Sequence, residues 1–270
     1  MGSRRYTEWP APAGLRDAMV CVWSAAAAHD TKTIILPDGC CDLIWEQGRG
    51  AFVAGPDTGP VRATTRAGTV MFGVRFRPAA GGPVLGTPLS EIRDQRVDLA
   101  DLRPADAVRL PAALDVRTAA TRVLDLAGRL VTDGQPDVAV AYAVQMLRDP
   151  RARVEQVAAE VGLSMRQLRR RCHETVGYGP KTLQRVMRFR RFVSRIDAGD
   201  QDLAAIAAAA GYADQAHLTR ECLKLAGLTP AALAKVRGAA EERFAGQPDF
   251  GYEPQYADAG GLEPERVVRS

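Results

Sequence analysis

The sequence predicts an α+β protein of two domains, in which a β-rich N-terminal small barrel or sandwich precedes an all-α domain. Three observations support this prediction. The chain has 270 residues, enough for about two domains. Short β-branched runs between Gly/Pro turns fill the first hundred residues, and helical periodicity replaces them afterwards. An apolar fraction of 46% and a charged fraction of 25% are typical of globular proteins, which excludes a disordered or collagen-like chain.

The β-rich domain is predicted over residues 1–104. Its clearest strand is 70–76, where Val70, Phe72, Val74 and Phe76 alternate with other residues and predict one apolar face. Further short strands, separated by turn signals such as Pro37-Asp38-Gly39, are predicted at 33–36, 41–45, 51–53 and 61–64. Many short strands with such turns favour a small barrel or sandwich.

Helical spacing begins after this domain. Apolar residues between 114 and 130 recur near helical spacing, so residues 105–136 are predicted to form a helical linker and a candidate dimerisation helix. Residues 238–270 are rich in Gly, Pro and acidic side chains and show no periodicity. This last segment is predicted to be a disordered acidic tail.

Charge is distributed unevenly along the chain. Residues 1–150 hold 17 basic and 17 acidic side chains, whereas residues 151–237 hold 16 basic and 8 acidic ones. Residues 238–270 hold 3 basic and 7 acidic ones. A basic block between a neutral and an acidic region is typical of a module that binds a polyanion.

Two segments of the basic block repeat each other. Each has a short helical pattern with one narrow apolar face, at 154–161 and 203–210, and a glycine follows where a sharp turn needs a positive φ. Gly162 and Gly211 are 49 residues apart, which predicts one extra residue in the second turn. Helix, Gly-containing turn and helix make a helix-turn-helix, whose second helix enters the DNA major groove. The later landmarks are each 50 residues apart: Leu168/Leu218, Cys172/Cys222, Gly177/Gly227 and Pro180/Pro230.

A connecting helix is predicted from Lys181 to Ile196. At 1.5 Å per residue it is about 24 Å long and can hold two recognition helices roughly one duplex turn, about 34 Å, apart. Its basic residues form one continuous stripe, for which phosphate contact and a merely solvated face are the two alternatives. The stripe consists of Lys181, Arg185, Arg188, Arg191 and Arg195.

Residues 137–237 resemble the double helix-turn-helix domain of the AraC/XylS family of bacterial transcription regulators. The similarity lies in Gly211-Tyr212-Ala213-Asp214-Gln215-Ala216-His217-Leu218-Thr219-Arg220, in Ala226-Gly227-Leu228-Thr229-Pro230, and in Gly162-Leu163-Ser164, Leu168 and the turn from Gly177 to Pro180 of the first repeat. The N-terminal part is similar to a sensory or partner domain of actinobacterial regulators, through Pro37-Asp38-Gly39, Asp42-Leu43-Ile44 and Gly73-Val74-Arg75-Phe76-Arg77-Pro78. The resemblance implies a sequence-specific DNA-binding regulator. Double-stranded DNA is the expected partner, and RNA polymerase, an unknown small-molecule effector and a homodimer are candidates.

The resemblance also implies which side chains meet DNA. Arginine can bridge O6 and N7 of guanine, glutamine suits adenine, and alanine can touch a thymine methyl group. A solvated charged face is the alternative for the arginines, and capping or packing is the alternative for His217. The base-facing set is Arg166, Arg169, Arg170, Gln215, Ala216, His217 and Arg220, and the phosphate set is Ser164, Lys181, Arg185, Arg188, Arg191 and Thr219.

The N-terminal half offers two further hypotheses. An effector pocket is predicted to use Trp23, Trp45, Cys40, Arg75 and Arg77. Alternatively, Cys21, Cys40 and Cys41 serve a thiol- or metal-responsive sensor or an alkyl acceptor, although adjacent cysteines point to opposite faces of a strand.

The sequence predicts neither catalysis nor a cofactor or metal. It has no glycine-rich phosphate loop, no serine nucleophile elbow and no Pro-Cys-His-Arg acceptor motif. An odd cysteine count without disulfide spacing, and the lack of an 18-residue apolar run, predict a reduced cytoplasmic protein without a membrane segment.

Overall fold

A computed structural model describes residues 4–244, and strands give way to helices as predicted. The N-terminal strands are β1 Arg4–Pro10, β2 Met19–Ala27, β3 Thr31–Ile35, β4 Cys41–Glu46, β5 Gly50–Ala54, β6 Val61–Thr65, β7 Val70–Phe76 and β8 Arg96–Asp98. Helices α1 Gly81–Leu85, α2 Leu99–Leu102, α3 Pro104–Ala107 and α4 Val116–Asp133 accompany them. The remaining helices are α5 Val138–Met146, α6 Val154–Glu160, α7 Met165–Thr175, α8 Pro180–Asp197, α9 Leu203–Ala210, α10 Gln215–Ala226 and α11 Pro230–Phe244.

The strands form two antiparallel sheets. Six of them lie in the order β1-β2-β7-β4-β5-β8, and β3 pairs separately with β6. Val74 at the centre of β7 is opposite Val22 of β2 on one side and Leu43 of β4 on the other. The β-rich domain expected before the helices is therefore confirmed.

Strand β7 is buried on both faces, whereas the sequence predicted only one buried, apolar face for it. Phe72, Val74 and Phe76 pack into the main core, while Met71 packs into a smaller cluster on the opposite face. Gly73 shares that opposite face, and a Cβ there would lie 2.3 Å from Cε2 of Trp23. A central strand is buried on both sides here because a cluster of buried side chains lies on each face of its sheet.

Helix α4 belongs to the N-terminal core and does not form a separate linker. Ala119, Val123, Leu126 and Leu130 are buried against the main sheet. The apolar residues that suggested dimerisation are therefore used within the domain, and the opposite side of α4 exposes charged residues such as Asp125. The first domain accordingly extends to about Asp133.

The C-terminal helices enclose two cores joined by α8. One contains α5, α6, α7 and the start of α8, and the other contains the end of α8 with α9, α10 and α11. Helix α11 continues to Phe244, inside the segment predicted to be a disordered tail, and residues 245–270 of that segment lie outside the described residues. None of the described helices is long and apolar enough to span a bilayer.

Candidate nucleic-acid interface

The two repeats fold into two helix-turn-helix motifs, as the sequence predicts. In the first, α6 turns at Gly162 with a φ of 68° and leads into α7; in the second, α9 turns at Gly211 with a φ of 88° and leads into α10. Cys172 and Cys222 occupy equivalent, fully buried positions in the two second helices. The repeat also sets the following helices, because α8 and α11 each begin at a proline, the residue favoured in the first helical turn.

The first recognition helix, α7, presents three arginines to solvent. Arg166, Arg169 and Arg170 are exposed because Leu168 and Cys172, on the other side of the helix, are buried. Arg170 also pairs with Glu174 one turn later, at 2.9 Å. Arg171 points away and pairs at 3.3 Å with Asp137, the residue that caps α5. The surface of α7 is therefore strongly basic where a helix of this type meets DNA.

The second recognition helix, α10, is more neutral. Gln215, Ala216 and Arg220 are exposed, whereas His217 is half-buried with its ring edge-on to Tyr212 at a centroid distance of 5.2 Å. The main-chain N–H of His217 donates to the Asp214 carboxylate at 2.6 Å, which caps the helix. His217 thus has the packing role that was the alternative to base contact, and its contact with a base stays a prediction.

The two hydroxyl groups that were predicted to contact phosphates form hydrogen bonds within their own helices. The Ser164 Oγ accepts from the Gln167 N–H at 3.2 Å, and the Gln167 Oε1 accepts from the Ser164 N–H at 2.9 Å, which forms a capping box. The Thr219 Oγ1 donates to the Gln215 carbonyl at 2.9 Å. Phosphate contact by either hydroxyl stays a prediction.

The predicted continuous basic stripe on α8 is wrong in its middle section. Lys181 at one end and Arg195 at the other are exposed, but Arg185, Arg188 and Arg191 are half-buried. The two motifs pack along this part of α8, so the three guanidinium groups face protein as well as solvent.

Arg185 and Arg188 line a groove between the two motifs. Arg185 lies 3.5 Å from the carboxylate of Glu221 on α10, and the Arg188 guanidinium lies 5.7 Å from the centre of the Tyr212 ring. Glu221 is only 6% exposed, and Lys224 approaches it at 3.9 Å. Glu221 is not among the residues predicted from the sequence, because its acidic character alone does not show that it lies beneath the basic groove.

The five predicted effector-pocket residues do not surround one space. The Trp23 Nε1 donates to Asp42 at 2.7 Å on one side of the main sheet, whereas the Trp45 Nε1 donates to the Pro111 carbonyl at 2.9 Å on the other. Arg77 donates to the Arg16 carbonyl at 2.6 Å, away from both tryptophans. Alternating side chains on a strand point to opposite faces, which separates Trp45 from Trp23.

Arg75, another pocket candidate, is already surrounded by carboxylates. Glu8, Asp42 and Asp38 lie 3.3, 3.2 and 3.7 Å from its guanidinium. Burial lowers the pKa of Arg75, but the carboxylates of Asp42 and Asp38 more than offset this, so that its pKa is raised well above the ordinary value. The Arg75 charge is therefore neutralised within the domain rather than offered to an anionic effector.

The thiols give little support to the sensor alternative. Burial raises the pKa of Cys21, Cys40 and Cys41 well above the ordinary thiol value, which keeps them protonated at neutral pH. Cys21 and Cys41 also pack into clusters on opposite faces of the main sheet. Within residues 4–244, no group of three or more His, Cys, Asp or Glu side chains is placed to hold a metal ion.

Comparison with known protein families identifies the types of domain that the chain contains. Residues 157–235 match a family described as a helix-turn-helix domain, and residues 7–98 match a domain of unknown function (DUF6597). Residues 157–235 are therefore an AraC-type helix-turn-helix domain, a type of domain that occurs in DNA-binding transcription regulators. In this chain the helix-turn-helix domain follows a DUF6597 domain, and none of the curated proteins matches the chain.

Solved structures of ToxT from Vibrio cholerae show a distant overall similarity. One is 8% identical with a TM-score of 0.41 and covers 87% of this chain and 98% of its own. ToxT from strain O395 is 10% identical with a TM-score of 0.43, covering 86% and 97%. The same protein bound to (E)-4-(8-methylnaphthalen-1-yl)but-3-enoic acid is 9% identical with a TM-score of 0.42, covering 87% and 99%.

Proposed function

We propose that this protein regulates transcription by reading two adjacent major grooves of one duplex with its two helix-turn-helix motifs. The observation that carries the proposal is the structural repeat: two equivalent motifs are joined by one 18-residue helix, and each exposes its recognition helix. Arg166, Arg169 and Arg170 would read the first groove, with arginine suited to guanine. Gln215, Ala216 and Arg220 would read the second. The proposal includes no catalytic activity.

The test is a salt titration of the full-length protein on two duplexes. One duplex is enriched by the protein from a random pool, and the other is a scrambled sequence of the same composition. Contact with about 6 phosphates predicts a log–log salt slope of about −5 for both, together with tighter binding of the enriched duplex. Failure to enrich any sequence, or equal affinity for both duplexes, would overturn the proposal.

The proposal includes modulation through the N-terminal domain, supported by contacts from one loop to both motifs. Residues 55–60 connect β5 to β6 and lie against the turns that end α7 and α10. A Cβ on Gly177 would lie 2.5 Å from Pro56 Cγ, and one on Gly227 would lie 3.6 Å from Pro60 Cγ. Gly177 and Gly227 are equivalent in the repeat, so one loop contacts the two motifs at the same structural position.

A second segment of the N-terminal domain, residues 89–90, binds the C-terminal end of the first recognition helix, α7. The Leu89 N–H donates to the Glu174 carbonyl at 2.8 Å, and the Ser90 N–H donates to the His173 carbonyl at 3.1 Å. The carbonyls in the last turn of a helix lack intrahelical hydrogen-bond donors, and here the N-terminal domain provides the donors. In addition, Leu36 is buried in the core of the second motif. An effector or a second copy of the chain that moves these segments would reorient the motifs.

The loop 55–60 is itself braced, which allows a direct test. Thr58 donates from its N–H and its Oγ1 to Asp94 at 2.7 and 2.9 Å, so Asp94→Ala removes the side-chain acceptor that braces the loop. We expect Asp94→Ala to change the ratio of affinities for the enriched and scrambled duplexes by about 5-fold or more, the usual lower range of coupling between sites. Asp125→Ala removes the same charge from the exposed side of α4 and serves as the control. An unchanged ratio would reject modulation through this loop; RNA polymerase and a homodimer stay candidate partners.

A further inference from the structure

Arg191, in the middle of α8, joins backbone groups from both helix-turn-helix halves. Its Nη1 donates to the carbonyl of Arg148, just after α5 and ahead of the first motif. Its Nη2 and Nε donate to the carbonyl of Ala210, the last residue of α9 in the second motif, at 3.2 and 3.4 Å. Carbonyls at helix C-termini lack intrahelical partners and carry the negative end of the helix dipole, so a guanidinium suits both.

The two halves also touch each other at this junction. A Cβ on Gly211, in the turn of the second motif, would lie 2.5 Å from the Cβ of Pro150, in the loop before the first motif. The same loop is held to α8 from the other side, where the Gln184 Nε2 donates to the Ala152 carbonyl at 2.7 Å. The loop between α5 and α6 is therefore held between α8 and the second motif.

The surroundings of Arg191 fit a structural contact better than a phosphate contact. Three of its nitrogens already donate to main-chain carbonyls, and its side chain is half-buried. Burial, and then the neighbouring Arg188 charge, lower the pKa of Arg191. A DNA phosphate would have to replace carbonyl partners that are already in place, whereas Lys181 and Arg195 on the same helix are exposed.

We infer that Arg191 is a positioning residue that sets the relative orientation of the two recognition helices, and that the protein thereby discriminates duplexes by the distance between their half-sites. The inference rests on the proposed function. One inserted base pair turns the second half-site by about 35° and moves it along the axis, since B-DNA has about 10–10.5 base pairs per turn. A protein whose two motifs are already fixed relative to each other does not pay the entropic cost of ordering them on binding. It also cannot adjust the motifs to a changed distance between the half-sites.

The test compares substitutions that separate charge from geometry. Arg191→Lys keeps the positive charge but loses the planar fork that reaches two carbonyls, whereas Arg191→Met loses both. Arg195→Met is the matched control, because it removes the same charge from the exposed part of the same helix. Binding is measured with the enriched duplex, with versions carrying one base pair more or fewer between the half-sites, and with the scrambled duplex.

We expect Arg191→Lys to bind the enriched duplex about 10-fold more weakly and to lose less affinity than the wild type when the spacing changes, a size within the usual range of coupling effects. Its affinity for the scrambled duplex and its salt slope should equal those of the wild type. Arg195→Met should retain the wild-type spacing preference. If Arg191→Lys instead behaves as the wild type, and Arg191→Met weakens all duplexes while reducing the salt slope by about 1, Arg191 is a phosphate contact.

A second measurement does not depend on DNA binding. Spin labels attached to cysteines introduced as Gln156→Cys in α6 and Ala205→Cys in α9 report the distance between the motifs. Both positions are exposed, and the variants are made in a Cys40→Ser background. We expect a wider or shifted distance distribution for Arg191→Lys than for the wild type and Arg195→Met, with equal urea midpoints showing that the variants are folded. Identical distributions would overturn the positioning role even if the protein binds DNA as proposed. A widened distribution without selective DNA binding would leave the positioning role and reject the proposed function.

Discussion

Three glycines that adopt positive φ allow the docking of the N-terminal domain to be measured by a single added methyl group. Gly162, Gly177 and Gly227 have φ values of 68°, 93° and 67°. A Cβ on Gly162 would have no neighbour within 4 Å, and one on Gly227 would make an ordinary 3.6 Å contact with Pro60. A Cβ on Gly177 would lie 2.5 Å from Pro56 Cγ and 3.2 Å from the Leu89 carbonyl oxygen. Only Gly177→Ala therefore introduces a steric clash with the N-terminal domain.

The expected costs follow from these distances. A left-handed conformation costs a non-glycine residue roughly 1–2 kcal/mol, and the reduced entropy of the unfolded chain returns about 0.4–1 kcal/mol. Gly162→Ala and Gly227→Ala should therefore each lower the free energy of unfolding by about 1 kcal/mol. Gly177→Ala adds overpacking of about 1–3 kcal/mol, because carbon atoms prefer separations of about 3.5–4.0 Å. Pro56 has little freedom to retreat, since its carbonyl accepts from the Asp94 N–H at 3.2 Å.

Urea unfolding of the full-length variants measures the cost, and binding to the enriched and scrambled duplexes measures the functional effect. We expect Gly177→Ala to cost about 2–4 kcal/mol and to change the affinity ratio, while Gly162→Ala leaves the ratio unchanged. If the three alanines cost the same and none changes the ratio, the loop carrying Pro56 is not packed against the first motif and the docking argument is refuted.

Further expectations concern the bases, a buried ion pair and the thiols. Arg169→Ala should relax base preference at one position at a cost of about 1–3 kcal/mol, whereas Lys181→Ala should weaken every duplex and reduce the salt slope by about 1; identical selection profiles for the two would mean that the groove-facing side is misassigned. Asp57→Asn disrupts a bidentate pair with Arg96, with both contacts at 2.7 Å and Asp57 8% exposed, and should lower the free energy of unfolding by about 3 kcal/mol, while the exposed Asp101→Asn should leave it unchanged. Burial raises the pKa of Cys21, Cys40 and Cys41 well above the ordinary thiol value, so these thiols should react with Ellman's reagent at neutral pH far more slowly in the native protein than in the urea-unfolded one; rapid labelling of any of the three would revive the thiol sensor. Burial also raises the pKa of Cys172 and Cys222 to about 12. Because the folded state holds the protons of Cys172 and Cys222 more tightly, stability should fall as the pH rises above 9, the ordinary thiol pKa, and the fall should be smaller in a Cys172→Ala, Cys222→Ala double variant.

The sequence was sufficient for the parts of the fold that depend on local signals. Gly162 and Gly211 mark the two turns because only glycine adopts positive φ without strain, and Pro180 and Pro230 mark helix starts because proline suits the first turn. A repeat of these signals 49 or 50 residues apart predicts two motifs. The spacing of Leu168 and Cys172 also predicts which arginines of α7 are exposed, since it defines the buried side of that helix.

Contacts between distant segments required the tertiary structure. Periodicity shows that α4 has an apolar side, but not that this side covers the strands of its own domain rather than a second copy. Alternation in β7 shows one apolar side, but not that the other is covered by Trp23. Trp45 and Trp23 were grouped as pocket residues by chemistry alone, and the register of the sheet places them on opposite faces.

The sequence by itself therefore determined that two helix-turn-helix motifs in a basic region follow a β-rich domain, because turns, caps and helical faces are encoded over a few neighbouring residues. The tertiary structure decided what each charge faces. Arg75 lies among three carboxylates, Arg191 bonds to carbonyls 43 and 19 residues away, and Arg166 stands free in solvent. An arginine carries the same charge in all three settings, and only packing between segments far apart in the chain determines whether that charge is neutralised inside the protein or remains available to DNA.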